Sequence, residues 1–334
     1  AKMARKLREL VRGPRRVENH LWVYTPLVLP FPGSAIAAVA NQAIVRQTVR
    51  VLKHRIGIDS FQLWTFLPTA VRFAGRLGES LLVYYCTDEW SAFDHLDGRT
   101  LAALERELCQ RADIVFATSE PLWERKRQYN QETHLIPHGV DWQHFASALD
   151  DATPIAPPLR GIVRPIIGFM GLIHSWIDQD LLAFLANRRP CWTFVLLGKS
   201  VVDTAKLLRH RNIRLLGKVP YQQLPSFCKA FAVGLIPFVV SELTRNVNPI
   251  KLREYLSAGI PVVSTEIPEA AGFPQDCTVT GSHEAFLDAI ERYLAEDSPE
   301  QRNARSIAMQ AHAWNRRIAE LSRHVLRVKA RKSR

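Results

Sequence analysis

Residues 248–263 read Asn-Pro-Ile-Lys-Leu-Arg-Glu-Tyr-Leu-Ser-Ala-Gly-Ile-Pro-Val-Val, and this stretch predicts one short helix followed at once by a strand. Asn248 is a favourable N-cap residue, and Pro249 fits the first helical position. Gly259 suits the left-handed conformation that ends many helices, and Pro261 opens a β-branched strand. The helix is therefore expected to be tightly bounded.

The two faces of this helix differ in polarity. Lys251 and Glu254 are three residues apart and share one face, whereas Leu252, Tyr255 and Leu256 form an apolar stripe that would pack on a sheet. A lysine in the first turn opposes the helix dipole unless an anion also binds there, and a phosphate would remove the conflict. The alternative is a solvated surface pair between the two charges.

Short apolar runs alternate with helical patterns along the chain. Most of the runs are near-continuous in Val, Ile, Leu and Phe, which is typical of parallel strands buried on both faces. They are residues 21–24, 61–66, 81–86, 114–118, 133–136, 165–170, 192–197, 213–216, 233–237, 262–265 and 277–280. Helical spacing appears between them, for example at residues 100–111 and 178–187. The repeated order predicts an α/β fold with two doubly wound, Rossmann-like domains.

A proline-rich stretch at residues 150–165, with little helical periodicity, is predicted to be the interdomain linker. The expected domains are residues 1–150, residues 151–297 and a basic terminal helix at residues 298–334. The chain opens with a basic, helix-like segment at residues 1–11 and not with a strand, so the first strand of the first domain is expected to be missing. The terminal segment carries one apolar stripe, formed by Ile307, Trp314, Ile318, Leu321 and Val325.

The composition, 47% hydrophobic and 23% charged, indicates a globular protein. No apolar run approaches the roughly 20 residues needed to span a bilayer, and the start lacks a signal-peptide core, which predicts a cytoplasmic location. The five cysteines form no CxxC pair and the eleven histidines show no HExxH spacing. Neither a disulfide framework nor a metal site is therefore expected.

The net charge of +12 is concentrated at the two ends of the chain. Nucleic acid, an anionic membrane face and a phosphorylated acceptor would all fit such a field. Because no nucleic-acid-binding module is recognisable, we expect no nucleic acid partner and favour a membrane surface or a lipid-phosphate acceptor. The alternative is an ordinary solvated surface.

Two carboxylates, Asp88 and Glu89, follow the apolar strand predicted at residues 81–86. Ligands of open α/β sheets bind at this carboxyl edge, and a carboxylate in a partly dry cleft can act as a general base. Asp88 is the first candidate for the base and Glu89 the second. The alternative for Asp88 is that it caps the next helix.

Gly168 and Gly171 lie where the strand predicted at residues 165–170 ends, and His174 follows them. Glycine at this position lets backbone approach a phosphate, but it also suits simple close packing. The spacing does not match GxGxxG, which argues against a dinucleotide-dependent oxidoreductase.

Two regions, residues 81–145 and residues 213–265, resemble nucleotide-sugar glycosyltransferases of the GT-B fold and of the glycosyl transferases group 1 type. The Lys-Leu-x-x-Tyr pattern of Lys251 to Tyr255 is most similar to bacterial exopolysaccharide glucuronosyltransferases and teichuronic-acid biosynthesis enzymes. The resemblance implies two Rossmann-like domains facing a central cleft, with the donor bound by the second domain and the acceptor by the first.

The resemblance also implies roles for single residues. Glu254 would hold the donor ribose, and Lys251, together with Arg245, would carry the charge of the diphosphate. The turn at Gly171 and His174 would form the wall against that diphosphate.

Further donor contacts follow from the same resemblance. Val219 and Tyr221 would line the base pocket, His138 would approach the donor, and Leu252 lies beside Lys251 on the donor helix. The family commonly has two glutamates in this region, and the first of them contacts the transferred sugar. Asn246 occupies the position of that first glutamate, so this chain lacks it.

These features predict a metal-independent glycosyltransferase without a cofactor, of either inverting or retaining stereochemistry. It would move a sugar from a nucleoside-diphosphate sugar to a hydroxyl of a cell-envelope, exopolysaccharide or lipid-linked glycan, at the inner face of the membrane. The alternatives are a nucleotide-sugar epimerase of the same fold and a non-catalytic protein that binds nucleic acid or an anionic surface.

Overall fold

The computed structural model describes residues 13–29, 35–94 and 96–333. The described chain begins with an exposed antiparallel hairpin and a long helix, namely β1 (Arg15–Glu18), β2 (Leu21–Val23) and α1 (Ala35–Ile56). The strand predicted at residues 21–24 therefore exists, but it pairs only within this hairpin. The basic opening at residues 1–11 lies outside the described residues.

The first sheet has four parallel strands in the order β3-β4-β5-β6. Its strands and helices are β3 (Gln62–Thr65), β4 (Leu81–Cys86), α2 (Gly98–Arg111), β5 (Ile114–Ala117), α3 (Glu120–Lys126), β6 (Thr133–Leu135) and α4 (Trp142–Ala146). Every residue of β4 and β5 is buried, as their unbroken apolar runs predict.

The second sheet has six parallel strands in the order β12-β11-β10-β7-β8-β9. Its strands are β7 (Ile166–Met170), β8 (Thr193–Leu197), β9 (Ile213–Gly217), β10 (Val233–Ile236), β11 (Val262–Thr265) and β12 (Cys277–Thr280). The helices are α5 (Gln179–Arg188), α6 (Ala205–Leu208), α7 (Leu224–Cys228), α8 (Glu242–Arg245), α9 (Ile250–Ser257) and α10 (His283–Glu296). Strand order reverses beside β7, which is the position where open α/β sheets bind ligands.

Packing changes from one core to the other near the predicted linker. Val140, Phe145 and Ala148 already belong to the core of the second sheet, and so does Leu159 within the proline-rich stretch. The predicted boundary at residue 150 stays a prediction, but the residues on both sides of it pack against the second sheet.

The chain then returns to the first sheet through α11 (Pro299–Ala308) and α12 (Trp314–Lys332), which are separated by a 3-10 turn at Met309–His312. Leu321, Val325 and Val328 of α12 are buried against the first sheet. The predicted apolar stripe is wrong in part, because the break between the helices leaves Ile307 and Ile318 exposed. In the described part of the chain, every helix is too short or too polar to cross a bilayer.

Candidate active site

Two buried hydrogen bonds join the sheets at their carboxyl ends. The hydroxyl of Ser119, which follows β5, donates to the carbonyl oxygen of Asn246 at 2.6 Å. The side-chain amide of Asn248 donates to the carbonyl oxygen of Thr118 at 2.8 Å. The segment that leads into α9 is therefore attached to the end of β5, so the loops after both sets of strands border one cleft.

The helix of the opening stretch begins one residue later than its N-cap signal predicts. Pro249 is the residue before the first helical turn, and no side chain caps the helix. The predicted cap, Asn248, instead accepts a hydrogen bond from the Arg253 guanidinium at 2.9 Å while it donates to Thr118. A buried amide with two partners across a domain interface gains more than a half-exposed cap does. The predicted end is confirmed, because Gly259 has φ 75°.

Lys251 is enclosed by aromatic rings and a glycine. Its Nζ lies 4.8 Å from the ring centre of Phe238 and 5.6 Å from that of Phe169. Gly171 has φ 146°, and a Cβ there would stand 3.0 Å from Lys251 Cε. A side chain at position 171 would thus crowd the lysine. Burial lowers the pKa of Lys251 to about 8, although Glu254 opposes the shift.

Glu254 is the partly buried neighbour of Lys251 on the same helix face. Burial raises the pKa of its carboxyl to about 7, and the charge of Lys251 opposes the rise. In the described part of the chain the two side chains form no salt bridge, and neither charged group has a hydrogen-bond partner among the protein's own residues. The alternative of a solvated ion pair is therefore not what forms: the Lys251 ammonium lies over the two rings, and its charge acts on Glu254 without a direct salt bridge.

Asp88 follows β4 and lines a cavity of about 140 Å³ together with Trp176, Phe238 and Lys251. Burial raises the pKa of Asp88, partly offset by a hydrogen bond from the Thr87 hydroxyl at 2.9 Å. The structure removes the alternative that Asp88 caps a helix. That role belongs to Asp97 at the start of α2, which accepts from the amide of Thr100 at 3.1 Å.

Glu89 is a poor candidate for the base, although it follows Asp88 directly. It is 3% exposed and accepts hydrogen bonds from Ser91 at 2.6 Å, Arg125 at 3.1 Å and Lys126 at 3.3 Å. Burial acts to raise the pKa of Glu89, but Lys126, Ser91 and Arg125 together lower it. A carboxylate with a lowered pKa and occupied oxygens is a weak proton acceptor. Arg125 also contacts Glu242 at 2.9 Å, so this ion cluster helps hold the two domains together.

The candidate base pocket contains an aromatic pair. The Tyr221 ring stacks on the imidazole of His144, with ring centres 4.4 Å apart and planes 15° from parallel. Burial raises the pKa of Tyr221 to about 12, with smaller contributions from the charges of Asp141 and Glu254. Val219 is partly buried against the second core. Base binding here stays a prediction.

Three predicted donor contacts are less favourable in the structure. Leu252 is fully buried in the second core and its amide donates to Pro249, so neither group can reach a ligand. Asn246 is 1% exposed, and its amide donates to the carbonyl of Glu242 at 2.6 Å. Arg245 is exposed at the end of α8. Packing of the second core therefore keeps Leu252 away from a ligand, and the hydrogen bond to α8 does the same for the side-chain amide of Asn246.

Two predicted histidines border the cleft in different ways. His174 stacks on Trp176 with ring centres 3.9 Å apart, and Trp176 lines the Asp88 cavity. His138 lies between Tyr85 and Trp314, with ring centres 6.4 and 6.2 Å away. Burial, aided by the charge of Arg253, lowers the pKa of His138 to about 4, so this imidazole is neutral at physiological pH.

The sequence reasoning missed several residues of the cleft, notably His144, Trp176 and Phe238. Trp176 carried a usable signal, because it lies in the turn after β7 that was already expected to face a ligand. His144 and Phe238 carried none, since an aromatic residue after a strand or a turn is most often part of a core.

Comparisons with known proteins agree with this geometry. Residues 164–296 match the family described as "Glycosyl transferases group 1". A curated relative, "Putative teichuronic acid biosynthesis glycosyltransferase TuaH" of Bacillus subtilis, is 26% identical over 275 residues, which are 76% of this chain and 68% of that protein.

Similar solved structures have low identity but the same fold. Anabaena Alr3699/HepE in complex with UDP has a TM-score of 0.67 at 17% identity, covering 86% of this chain and 83% of that one. The catalytic domain of Starch Synthase IV from Arabidopsis thaliana, bound to ADP and acarbose, has a TM-score of 0.63 at 13% identity, covering 90% and 79%.

The two facing sheets and the cleft between them, with the matched neighbours, give the chain the GT-B fold. Residues 164–296, which contain the second sheet, match the group 1 glycosyl transferases, and the chain is a glycosyltransferase. The alternatives of an epimerase and of a non-catalytic binding protein are set aside.

Proposed function

We propose that the enzyme transfers a sugar from a UDP-sugar to a hydroxyl of a cell-envelope glycan, without a metal ion. The observation that carries this proposal is Lys251 of α9, which lines the same cavity as Asp88 and has Glu254 as its electrostatic neighbour on the helix. UDP is bound in the HepE structure. The name of the curated relative refers to the biosynthesis of teichuronic acid.

Lys251 and Glu254 would bind different parts of the donor. Lys251, at the start of α9, would hold the diphosphate, which the positive end of the helix dipole also favours. Glu254, one turn further along, would accept hydrogen bonds from the ribose hydroxyls. The base would then lie toward Tyr221 and Val219. When the sugar leaves, the new negative charge on UDP is stabilised by groups that are already in place.

Acceptor activation would fall to Asp88. Its carboxyl is partly buried after the end of β4, and its raised pKa makes it a better proton acceptor than an ordinary aspartate. Asp88 and Lys251 line the same small cavity. The proposed base and the proposed cationic partner of the leaving diphosphate would therefore lie close together. A base on the acceptor side would serve a single displacement with inversion at the anomeric carbon, and it would equally serve the second step of a double displacement with retention.

The test of the donor site is the affinity for UDP of the Glu254→Gln variant. We expect the dissociation constant to rise about 10-fold, because the charge that strengthens the ribose hydrogen bonds is lost. Calorimetric titration measures it, with ADP and GDP alongside to identify the base. Glu266→Gln, which changes an exposed glutamate of the same domain, is the matched control. Equal UDP affinity in both variants and the wild type would contradict the assignment.

We also propose that the enzyme lies at the inner face of the membrane. The outer side of α12 exposes Ile318 and Leu326 beside basic residues, although Arg327 and Arg331 are in part neutralised by Glu132. An apolar stripe flanked by cations is typical of helices that bind anionic membrane surfaces.

Sedimentation with lipid vesicles tests this location. We expect the enzyme to bind vesicles that contain phosphatidylglycerol and not vesicles of phosphatidylcholine alone. The double variant Arg323→Glu/Lys329→Glu should lose most of the bound fraction, because both side chains are exposed and unpaired in the described part of the chain. Binding that is insensitive to lipid charge would contradict the proposal.

A further inference from the structure

The candidate base and the candidate diphosphate partner are held by different sheets. Asp88 follows β4 of the first sheet and Lys251 lies on α9 beside the second, yet both line one small cavity. Within the described part of the chain, the Asp88 carboxylate accepts one hydrogen bond from the protein, donated by the Thr87 hydroxyl at 2.9 Å. The placement of Thr87 therefore sets the orientation of this carboxylate.

Thr118, which follows β5, holds the backbone next to Asp88. Its hydroxyl donates to the carbonyl oxygen of Thr87 at 3.3 Å, and its amide donates to that of Cys86 at 3.1 Å. Thr118 is 0% exposed, so it can touch neither the donor nor the acceptor. Any effect of Thr118 on the reaction must be transmitted through its neighbours.

The hydrogen bonds continue from Thr118 to the second sheet. Its carbonyl oxygen accepts from the side-chain amide of Asn248 at 2.8 Å, and the Arg253 guanidinium donates to the other end of that amide at 2.9 Å. Arg253 lies on α9 two residues after Lys251, is 1% exposed and also pairs with Glu269. Four hydrogen bonds in series thus join the donor helix to the Asp88 carboxylate.

The residue types of this series are those that its bonds require. A threonine hydroxyl can donate to a carbonyl oxygen, whereas a valine of similar shape cannot. An asparagine can accept from Arg253 with one end of its amide and donate to Thr118 with the other, whereas an aspartate can only accept. Burial keeps water from competing for these bonds, which strengthens them.

We propose that Thr118, Asn248 and Arg253 are positioning residues that hold Asp88 against Lys251 across the interface between the sheets. The proposal rests on the proposed function, because Asp88 is the proposed base. A general base must lie within hydrogen-bond distance of the proton that it takes. A misplacement of about 1 Å caused by a remote change can cost about 100-fold in rate. The alternative is a set of core hydrogen bonds that stabilises the fold and has no separate effect on the reaction.

The Thr118→Val variant of the full chain tests the series at a residue outside the donor site. We expect kcat to fall about 10-fold, because the carboxylate of Asp88 is held less well, while the dissociation constant of UDP and the KM for the UDP-sugar stay unchanged. Thr118→Ser keeps the hydroxyl and should recover most of kcat.

Thr133→Val is the matched control. Thr133 is a buried threonine of β6 whose hydroxyl also donates to a backbone carbonyl, that of Asn130. It should lower the melting temperature about as much as Thr118→Val does but keep the kcat of the wild type. Asn248→Asp is a second variant for the case that Thr118→Val does not fold. It keeps an acceptor for Arg253 and should lower kcat at saturating UDP-sugar.

A double variant shows whether Thr118 acts through Asp88. Asp88→Asn/Thr118→Val should be no slower than Asp88→Asn alone, since contacts in one network do not contribute additively. Additive losses, a Thr118→Ser variant as slow as Thr118→Val, or equal kcat in Thr118→Val and Thr133→Val would overturn the inference. Near-normal kcat in Asp88→Asn contradicts the proposed base itself. A slow Asp88→Asn beside a fast Thr118→Val contradicts the positioning role alone.

Discussion

The Asp88→Asn variant is expected to lose about 10²–10⁴ in kcat while it binds UDP as tightly as the wild type. Asparagine keeps the size and a hydrogen-bonding oxygen of the side chain but cannot take the proton of the acceptor hydroxyl. The rate is measured as release of UDP from the UDP-sugar that the wild type uses, in the presence of its acceptor.

Stability separates this role from a structural one. Because burial raises the pKa of Asp88, the ionised form is disfavoured in the folded protein, and this cost is present above the folded pKa. A neutral asparagine should therefore leave the melting temperature unchanged or raise it. Asp94→Asn, at an exposed aspartate, is the control for the substitution itself. A variant with near-normal kcat would refute Asp88 as the base.

The second large effect is expected at Lys251. Lys251→Met should weaken UDP binding about 100-fold, or about 2–3 kcal/mol, because a buried diphosphate would lose its cationic partner. Methionine preserves the apolar stem between the rings of Phe169 and Phe238. Uridine, which has no phosphate, should bind equally to the variant and the wild type. Calorimetry of both ligands measures the difference, and equal losses for the two would show that the variant has only disturbed packing.

The pH dependence of UDP binding checks the same residue. The pKa of Lys251 is lowered to about 8, so the lysine loses its charge as the pH rises through 8 and UDP affinity should fall. The pKa of Glu254 is raised to about 7, so its carboxylate is protonated below 7 and affinity should fall there as well. Affinity should therefore be greatest between pH 7 and 8. Lys251→Arg should remove the alkaline decline; a decline that persists in this variant would assign it to another group.

Patterns of adjacent residues predict most of the strands and helices that position the site. The strands β4, β11 and β12 have the predicted bounds, because their apolar runs satisfy the burial of a parallel strand and their ends are set by polar residues, glycine or proline. The spacing of Lys251 and Glu254 placed both on one helix face, since a helix repeats every 3.6 residues whatever surrounds it. The repeated order of strands and helices predicted the two-domain architecture, and the family resemblance supplied the class of reaction.

Long-range contacts decided the rest. Asn248 favours a helix cap locally, yet Thr118 and Arg253, distant in sequence, bind its side chain in the folded protein. Glu89 and Asp88 are chemically similar neighbours, but Lys126 and Arg125 approach only Glu89 and make it an ion-pair partner, whereas Asp88 accepts a hydrogen bond from the Thr87 hydroxyl. Periodicity and capping depend on a few adjacent residues and can be predicted from them. The burial and the pKa of a side chain depend on which distant segments pack around it, and these contacts exist only in the folded chain.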